Sequence, residues 1–375
     1  MAVAGGGAIG LAVAWRAARR GLRVTVLERG APGSGASSVA AGMLAPVTEA
    51  SPLERPLLEL GLASAAAYPA FVDELREAAG FDPGYLACGS LLVARDADEA
   101  EALERELAMR HALGLEVRRL RPSEARSREP SLAPGVRLAL EIPDDHAIDP
   151  RALTAALAEA CRRAGVDLRT DAEVGSIELG AGRVIGVRLT RGELVEAEQM
   201  VVAAGAWSGL LAGLPERARV NVRPVKGQIL RLHDPSGPGL LSGVLRMADG
   251  YVVPRGDGRY VLGATMEERG FDTTVTAGPA FELLRDAIEL VPGIAELVLD
   301  ELSAGLRPAT PDNIPAIGPG VIPGLHWATG HHRNGILLTP ITAELVAAGL
   351  AGEDPSEPAA AVAPNRFAGL PVGAS

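Results

Sequence analysis

The hydrophobic pattern of the first residues predicts a strand, a helix and a second strand. The apolar run MAVA precedes a glycine-rich turn, and AIGLAVAWRAARRG then places apolar residues at helical intervals. The following segment, LRVTVLE, has the pattern of a buried strand and ends at Glu28. Two strands joined by a helix form a βαβ unit, which is typical of the α/β class.

Further along the chain, helical and extended patterns alternate. Residues 54–79 and 97–114 are rich in Ala, Leu and Glu at helical spacing, whereas GYLACGSLLVAR, VRLALEIPD and residues 243–275 predict strands separated by turns. DPRALTAALAEACRRAG predicts a helix capped by Asp149, and VDLRTDAEV and VEAEQMVVAAGAWS predict further parallel strands. Residues 353–375 are rich in Pro, Ala and Gly without periodicity, which predicts a loosely ordered tail.

Composition and charge exclude several classes of partner. A chain of 375 residues, 47% hydrophobic and 22% charged, is long enough for two globular domains. The net charge of −11 argues against nucleic acid and anionic membranes as partners, since both require a basic surface. Two cysteines do not form a disulfide framework, and the chain opens without a basic leader or long apolar segment. We therefore expect a cytoplasmic protein.

The turn after the first strand has the spacing of a dinucleotide-binding loop. Gly5 permits the tight turn, Gly7 lets a pyrophosphate approach the backbone, and Gly10 lets the helix pack closely on the strand. Glu28 can accept hydrogen bonds from a ribose diol and would repel a 2′-phosphate. FAD and NAD share this pattern, and a glycine-rich turn beside a solvated glutamate is the alternative.

An uncharged stretch follows the second strand. GASSVAAGMLAP, residues 35–46, carries mostly small side chains, so its backbone could lie against the pyrophosphate and flavin ring of a cofactor. Ser37 and Ser38 offer hydroxyl groups, and Gly42 removes side-chain bulk. An ordinary loop leading into a helix is the alternative.

Five blocks in the chain, taken together, resemble one enzyme family. They are GGGAIGLAVAW followed by Glu28, GASSVAAGMLAP, VRPVKGQILRL, GLRPATPDNIPAIG and ATGHHRNGILLTPITAELVA. In these blocks the chain resembles the FAD-dependent amino-acid oxidases of the D-amino-acid oxidase superfamily, most closely the glycine oxidases of thiamine biosynthesis. The resemblance covers nearly the whole chain.

The resemblance implies an α/β fold, α+β overall, in which a Rossmann-like FAD-binding domain is interleaved with a mainly antiparallel β substrate domain. We expect the FAD-binding domain in residues 1–84, 146–225 and 300–352, and the substrate domain in residues 85–145 and 226–299. FAD contacts are expected at Gly5, Gly7, Ala8, Ile9, Gly10, Glu28, Arg29, Ala36, Ser37, Ala41, Gly42, Met43, Val174, His331, His332, Arg333, Asn334, Gly335, Ile336 and Leu337.

Three residues are candidates for substrate contacts and catalysis. An arginine fork binds both oxygens of a carboxylate in one plane, and a tyrosine hydroxyl can assist. Arg307 and Tyr251 lie where the family keeps these groups, and Arg333 resembles a further family arginine near the substrate. A surface ion pair for either arginine and a core position for Tyr251 are the alternatives.

The resemblance implies oxidative deamination of glycine or another small amino acid or amine by non-covalently bound FAD, with O2 as acceptor. The alternatives are a sarcosine or D-amino-acid oxidase, a quinone-linked dehydrogenase, or a non-catalytic flavoprotein subunit. We expect a homo-oligomer. No metal is expected, because the adjacent His331 and His332 would point apart, and Asp144, Asp145 and His146 have the pattern of turn and cap residues.

Overall fold

The computed structural model describes residues 1–353 and 359–368. Within these residues the α-helices are α1 (Ala8–Arg19), α2 (Ala36–Val39), α3 (Arg55–Ala79), α4 (Ala97–Ala112), α5 (Pro122–Arg128), α6 (Pro150–Arg163), α7 (Ala277–Leu290), α8 (Thr339–Ala351) and α9 (Ala359–Val362). None of the helices in this part of the chain combines the length and hydropathy required to cross a bilayer.

The β-strands of the described residues are β1 (Ala2–Ala4), β2 (Thr25–Leu27), β3 (Met43–Leu44), β4 (Tyr85–Leu86), β5 (Ser90–Ala94), β6 (Arg118–Leu120), β7 (Leu138–Ile142), β8 (His146–Ile148), β9 (Asp167–Arg169), β10 (Val174–Gly180), β11 (Arg183–Leu189), β12 (Leu194–Glu196), β13 (Met200–Val202), β14 (Arg223–His233), β15 (Val244–Met247), β16 (Gly250–Pro254), β17 (Arg259–Gly263), β18 (Val298–Ala309), β19 (Ala316–Pro319) and β20 (Leu325–Thr329).

A six-stranded sheet has the order β19-β20-β13-β1-β2-β9 and contains the predicted βαβ unit. Its strands are parallel apart from β19, which is antiparallel to β20. Parallel strands are covered on both faces, and the three residues of β1 are accordingly all buried. Helix α6 begins as predicted, because the Asp149 side chain accepts a hydrogen bond from the backbone N–H of Arg151 at 2.9 Å. The βαβ prediction is confirmed.

An eight-stranded sheet has the order β18-β14-β17-β16-β15-β5-β7-β6. Its pairs are antiparallel except for β15 with β5. The long strands β14 and β18 extend across the domain boundaries that we predicted at 225/226 and 299/300. Residues 301–309 thus belong to this sheet, because after a register shift at Asp300 they pair continuously with β14 up to the pair of Ala309 with Arg223.

Two features differ from the sequence patterns. The segment after Val174 forms a small antiparallel sheet, β10-β11-β12, before the chain returns to the parallel sheet at β13. In the predicted tail, residues 359–368 contain α9 and a 3-10 helix, with Val362 and Phe367 buried and Arg366 paired with Asp312 at 2.9 Å. These long-range contacts order a segment that has no local pattern. The predicted tail's residues 354–358 and 369–375 lie outside the described residues.

Candidate active site

A cavity of about 920 Å³ lies between the carboxyl ends of β1 and β2 and one face of the eight-stranded sheet. Its wall contains Leu27 at the end of β2, and Gly227, Tyr251 and Arg307 from β14, β16 and β18. Every residue for which we predicted a cofactor or substrate contact lines this cavity, except Gly10. The fold therefore collects residues from most of the chain at one place, and their contacts with ligands stay predictions.

The β1–α1 turn can be made only with glycine at two positions. Gly5 has a φ of +104°, and a Cβ there would lie 2.4 Å from the carbonyl oxygen of Ala203. A Cβ on Gly10 would lie 2.0 Å from the Gly5 carbonyl oxygen. Gly10 is thus buried behind the turn, where it lets α1 pack against the strand end. The turn brings the N-terminus of α1, a site that favours anions, to the cavity.

Glu28 and Ser37 lie beside this helix N-terminus. The Glu28 carboxylate accepts hydrogen bonds from the backbone N–H groups of Gly6 at 2.6 Å and Gly30 at 3.0 Å, which fix its orientation at the end of β2. Ser37 Oγ accepts a hydrogen bond from Ala8 N at 3.0 Å. Each Glu28 oxygen keeps lone-pair capacity for a hydroxyl donor such as a ribose diol.

The uncharged stretch at residues 35–46 forms a second wall. Gly42 has a φ of +80°, and a Cβ there would lie 2.0 Å from the carbonyl oxygen of Ile148. Arg255 Nη2 donates to the Ala41 carbonyl at 2.7 Å, and Arg231 Nη2 donates to the Ser38 carbonyl at 2.5 Å. Burial lowers the pKa of Arg255 to about 10. Two partly buried arginines, Arg231 in β14 and Arg255 directly after β16, thus hold the backbone of this uncharged stretch.

Sequence reasoning missed these arginines, although a signal was present. Side chains two residues apart in a strand share a face. Arg255 follows Tyr251 by four residues, and Arg231 follows Gly227 by four. Strand alternation therefore indicated that both arginines are on the face that contributes Tyr251 and Gly227.

Arg307 and Tyr251 lie together in the cavity wall. Arg307 Nη1 donates to the carbonyl oxygens of Thr265 at 3.0 Å and Lys226 at 3.4 Å. Burial raises the pKa of Tyr251, while the positive charges of Arg307 and Arg246 act in the opposite direction. The phenol therefore stays protonated at neutral pH and can donate a hydrogen bond.

Arg333 lies in the cavity wall but is engaged in ion pairs. Its Nε lies 2.8 Å from Glu49 Oε2, and its Nη2 lies 3.2 Å from Glu54 Oε2. The other oxygen of Glu49 lies 3.2 Å from Arg246 Nη2. Sequence reasoning missed Glu49 and Arg246, because their pairing depends on the contact between the 43–50 segment and β15. The charge of Arg333 is largely compensated by these carboxylates.

The two adjacent histidines are neutral at physiological pH. Burial lowers the pKa of His331 to about 3, and its Nε2 lies 3.0 Å from Thr342 Oγ1. Burial, reinforced by the charges of Arg307, Arg333 and Arg223, lowers the pKa of His332 to about 4. His332 has a φ of +47°, and its buried Nε2 has no hydrogen-bond partner among the described residues. Positive charge at this end of the cavity therefore comes from arginine and not from histidine.

Asp145 has a structural role. Its carboxyl group is buried and accepts hydrogen bonds from the backbone N–H groups of Val47 at 3.1 Å and Thr48 at 2.7 Å. Burial raises its pKa to about 6. Among residues 1–353 and 359–368, no cluster of three or more His, Cys, Asp or Glu side chains is arranged to hold a metal ion.

A family model described as FAD dependent oxidoreductase matches residues 1–348. The chain belongs to this family. Its members include relatives that are similar over most of the chain. Glycine oxidase from Geobacillus kaustophilus is 39% identical over 92% of this chain and 91% of its own. The solved structure of glycine oxidase from that organism superposes with a TM-score of 0.89 at 37% identity, covering 96% of this chain and 97% of the other.

Two further relatives have different names. A bifunctional protein ThiO/ThiG from Trichormus variabilis is 36% identical over 92% of this chain and 51% of its own. Hydrogen cyanide synthase subunit HcnC from Pseudomonas aeruginosa is 32% identical over 92% of this chain and 90% of its own. Family membership makes the protein a FAD-dependent oxidoreductase.

The cavity residues fit FAD. The α1 N-terminus and the close turn at Gly5 suit a pyrophosphate, and Glu28 suits a ribose. Within the part of the chain that the structure describes, the buried Nε2 of His332 at the cavity wall lacks the hydrogen bond that a buried polar atom normally has, and a polar atom of FAD would supply it. Neither Cys88 nor Cys161 is part of the cavity wall.

Proposed function

We propose that the protein oxidatively deaminates glycine or another small amino acid or amine. The observation that carries this proposal is the position of Arg307 and Tyr251, whose side chains line the same cavity as the dinucleotide turn at Gly5. A carboxylate fork beside a flavin site suits a substrate whose α-carbon bears both an amine and a carboxylate.

In this proposal the chain mainly binds and orients. Arg307 holds the substrate carboxylate through two parallel hydrogen bonds, and the protonated Tyr251 hydroxyl donates a third. Fixing the carboxylate leaves the α-carbon with little freedom, which lowers the entropic cost of reaction. Residues predicted to contact FAD would hold the cofactor without a covalent bond, and neither Cys88 nor Cys161 lines the cavity to form a cysteinyl linkage.

When bound, FAD would supply the hydride acceptor for the α-carbon, and O2 would take up the two electrons with H2O2 as the product. The amine loses a proton and becomes an imine, and water converts this imine to glyoxylate and ammonia when the substrate is glycine. We propose that the product serves thiamine biosynthesis, which the sequence resemblance implies and the similarity to a protein named ThiO/ThiG supports.

A subunit role is the second candidate, because a relative with 32% identity is named as a subunit of hydrogen cyanide synthase. The alternative reactions at the same site are sarcosine oxidation, D-amino-acid oxidation and quinone-linked dehydrogenation. We also propose that the six-stranded sheet and the helices packed against it form the FAD-binding domain. We further propose that the protein acts as a homo-oligomer in the cytoplasm.

The test is turnover of the purified protein in buffer with glycine, sarcosine, D-alanine and D-proline, scored by peroxide release. We expect peroxide with at least one of them, and yellow colour that acid precipitation releases into the supernatant. If substrate bleaches the flavin but O2 does not restore it, the protein is a dehydrogenase. If no substrate bleaches the flavin, the subunit role replaces the oxidase.

A further inference from the structure

The 265–276 loop connects β17 to α7 and borders the cavity. Thr265, Met266 and Glu267 line the cavity, whereas most of the loop is exposed, including Phe271 near its middle. A loop with little buried surface of its own is held in one position only by specific anchoring contacts. The ring of Phe271 supplies one such contact, with its centroid 5.3 Å from that of Trp207.

Gln228 anchors both ends of this loop. Its side chain is 1% exposed and makes a two-way contact with Thr276, donating from Nε2 to Oγ1 at 3.0 Å and accepting from the backbone N–H at 2.8 Å. Its backbone N–H donates to Thr265 Oγ1 at 2.9 Å. The first and last residues of the loop are therefore fixed by one residue of β14.

Lys226 anchors the middle and the start of the loop. Its side chain is also 1% exposed, and its Nζ donates to the Thr274 carbonyl oxygen and to Asp272 Oδ2, the latter at 3.4 Å. Its backbone pairs with Glu267 through N–H···O contacts of 2.9 and 3.0 Å. A buried lysine costs stability compared with an apolar side chain unless its polar contacts compensate. These contacts all lead to the loop.

Strand β14 contacts Arg307 on the face opposite the Lys226 and Gln228 side chains. Gly227 alternates with Lys226 and Gln228, and a Cβ on Gly227 would lie 2.4 Å from Arg307 Nη1, so glycine makes room for the guanidinium. Arg307 in turn donates to the Thr265 carbonyl at 3.0 Å. The position of the loop therefore determines the direction in which this guanidinium presents its remaining N–H groups.

We propose that Lys226 and Gln228 are positioning residues for substrate binding, which fix the 265–276 loop so that the Thr265 carbonyl orients Arg307 toward the substrate carboxylate. This inference rests on the proposed function, because it takes Arg307 as the carboxylate ligand. The Lys226 and Gln228 side chains act through the loop and do not line the cavity, whereas the Lys226 backbone carbonyl accepts directly from Arg307 Nη1 at 3.4 Å.

The test is titration of the FAD-loaded protein with glycolate, a small carboxylate, followed by the flavin absorbance. Lys226→Met should raise the glycolate Kd by at least about tenfold, because a misdirected guanidinium loses a charge-assisted hydrogen bond. Lys226→Arg, which keeps a donor to the Thr274 carbonyl, should recover part of the affinity. Thr273→Val is the matched control, since the side chain of this exposed loop residue makes no hydrogen bond within the described residues and its change should leave the Kd unchanged.

A double-mutant cycle separates positioning from general damage. In an Arg307→Lys background, Lys226→Met should weaken glycolate binding no further, because the group on which it acts is already lost. An equal loss in both backgrounds, or an unchanged Kd in Lys226→Met, would overturn the inference. Thr276→Val removes one Gln228 contact at an exposed position, and it should weaken glycolate binding by about two- to fivefold even if Lys226→Met does not fold.

The two proposals fail in different ways. If the unaltered protein neither binds glycolate nor oxidises any of the amines, the proposed function is wrong. If it does both and the Lys226 and Thr276 variants match it in glycolate Kd, only the positioning role is wrong.

Discussion

The Arg307 guanidinium packs against Gly227, where a Cβ would lie 2.4 Å from Nη1. Arg307→Lys keeps the charge but replaces two parallel hydrogen bonds by a point contact. Each charge-assisted hydrogen bond contributes about 1.5 to 3 kcal/mol, so kcat/KM for glycine should fall at least about tenfold, and Arg307→Ala should lower it further. FAD content should hardly change.

Steady-state turnover and flavin occupancy of both variants check this expectation. Near-native kcat/KM together with unchanged glycolate binding would show that Arg307 does not hold the carboxylate. Arg333 would then be the candidate, although its ion pairs with Glu49 and Glu54 would have to open first.

At the residue scale, sequence motifs located side chains but did not predict their electrostatic state. Arg307 and Tyr251 lie in one cavity wall, and their contacts with the substrate stay predictions. That Arg333 is ion-paired, and that His332 is neutral, depends on burial and on neighbours distant in sequence. The physical reason is that a pKa depends on desolvation and on nearby charges, and both are tertiary properties.

At the element scale, the segment from α2 to β3 depends on one glycine. Gly42→Ala would force an alanine into the left-handed region and place its Cβ against the Ile148 carbonyl. The strain alone costs about 1 to 2 kcal/mol, and the clash adds to it, so the variant should lose at least about 2 kcal/mol of unfolding free energy and bind FAD more weakly.

Denaturant unfolding and FAD titration measure these losses. Gly278→Ala is the matched control, because a Cβ there meets no atom within 4 Å and alanine favours the helix α7. Equal effects of the two substitutions would show that the Gly42 conformation is not required.

At the element scale, local sequence patterns predicted some elements and missed others. Helices α3 and α4 were predicted at 54–79 and 97–114 and extend over Arg55–Ala79 and Ala97–Ala112. The antiparallel sheet β10-β11-β12 was missed, although β11 largely alternates exposed and buried residues, as a strand with one solvent-facing side does. Its antiparallel pairing depends on partners that local sequence does not specify.

At the scale of the whole molecule, buried histidines make stability depend on pH. Burial lowers the pKa of His326 to about 4, and those of His331 and His332 to about 3 and 4. Between these values and pH 6.5 the unfolded chain binds more protons, so stability falls as pH decreases through this window. Asp145, whose pKa is raised to about 6, acts in the opposite direction, but it is one group against three.

Thermal unfolding at pH 8 and pH 5 measures this loss. Of these three histidines, only His326 does not line the cavity, and His326→Leu should narrow the difference in unfolding free energy between the two pH values by about 1 to 2 kcal/mol. A difference as large as that of the unaltered protein would show that His326 does not titrate in this way. Oxidase activity at pH 8 serves as the control for an intact site.

The sequence by itself determined the βαβ start, the glycine turn with Glu28, the cap of α6 and the family of the chain, because each depends on local conformation or on contiguous motifs. Only the tertiary structure decided which strands share a sheet and that β14 and β18 cross the predicted domain boundaries. It also decided how Lys226 and Gln228 hold the 265–276 loop. Buried polar groups must find partners, and those partners come from whatever the fold brings alongside. Chain topology determines which groups become these partners, and local sequence patterns do not predict it.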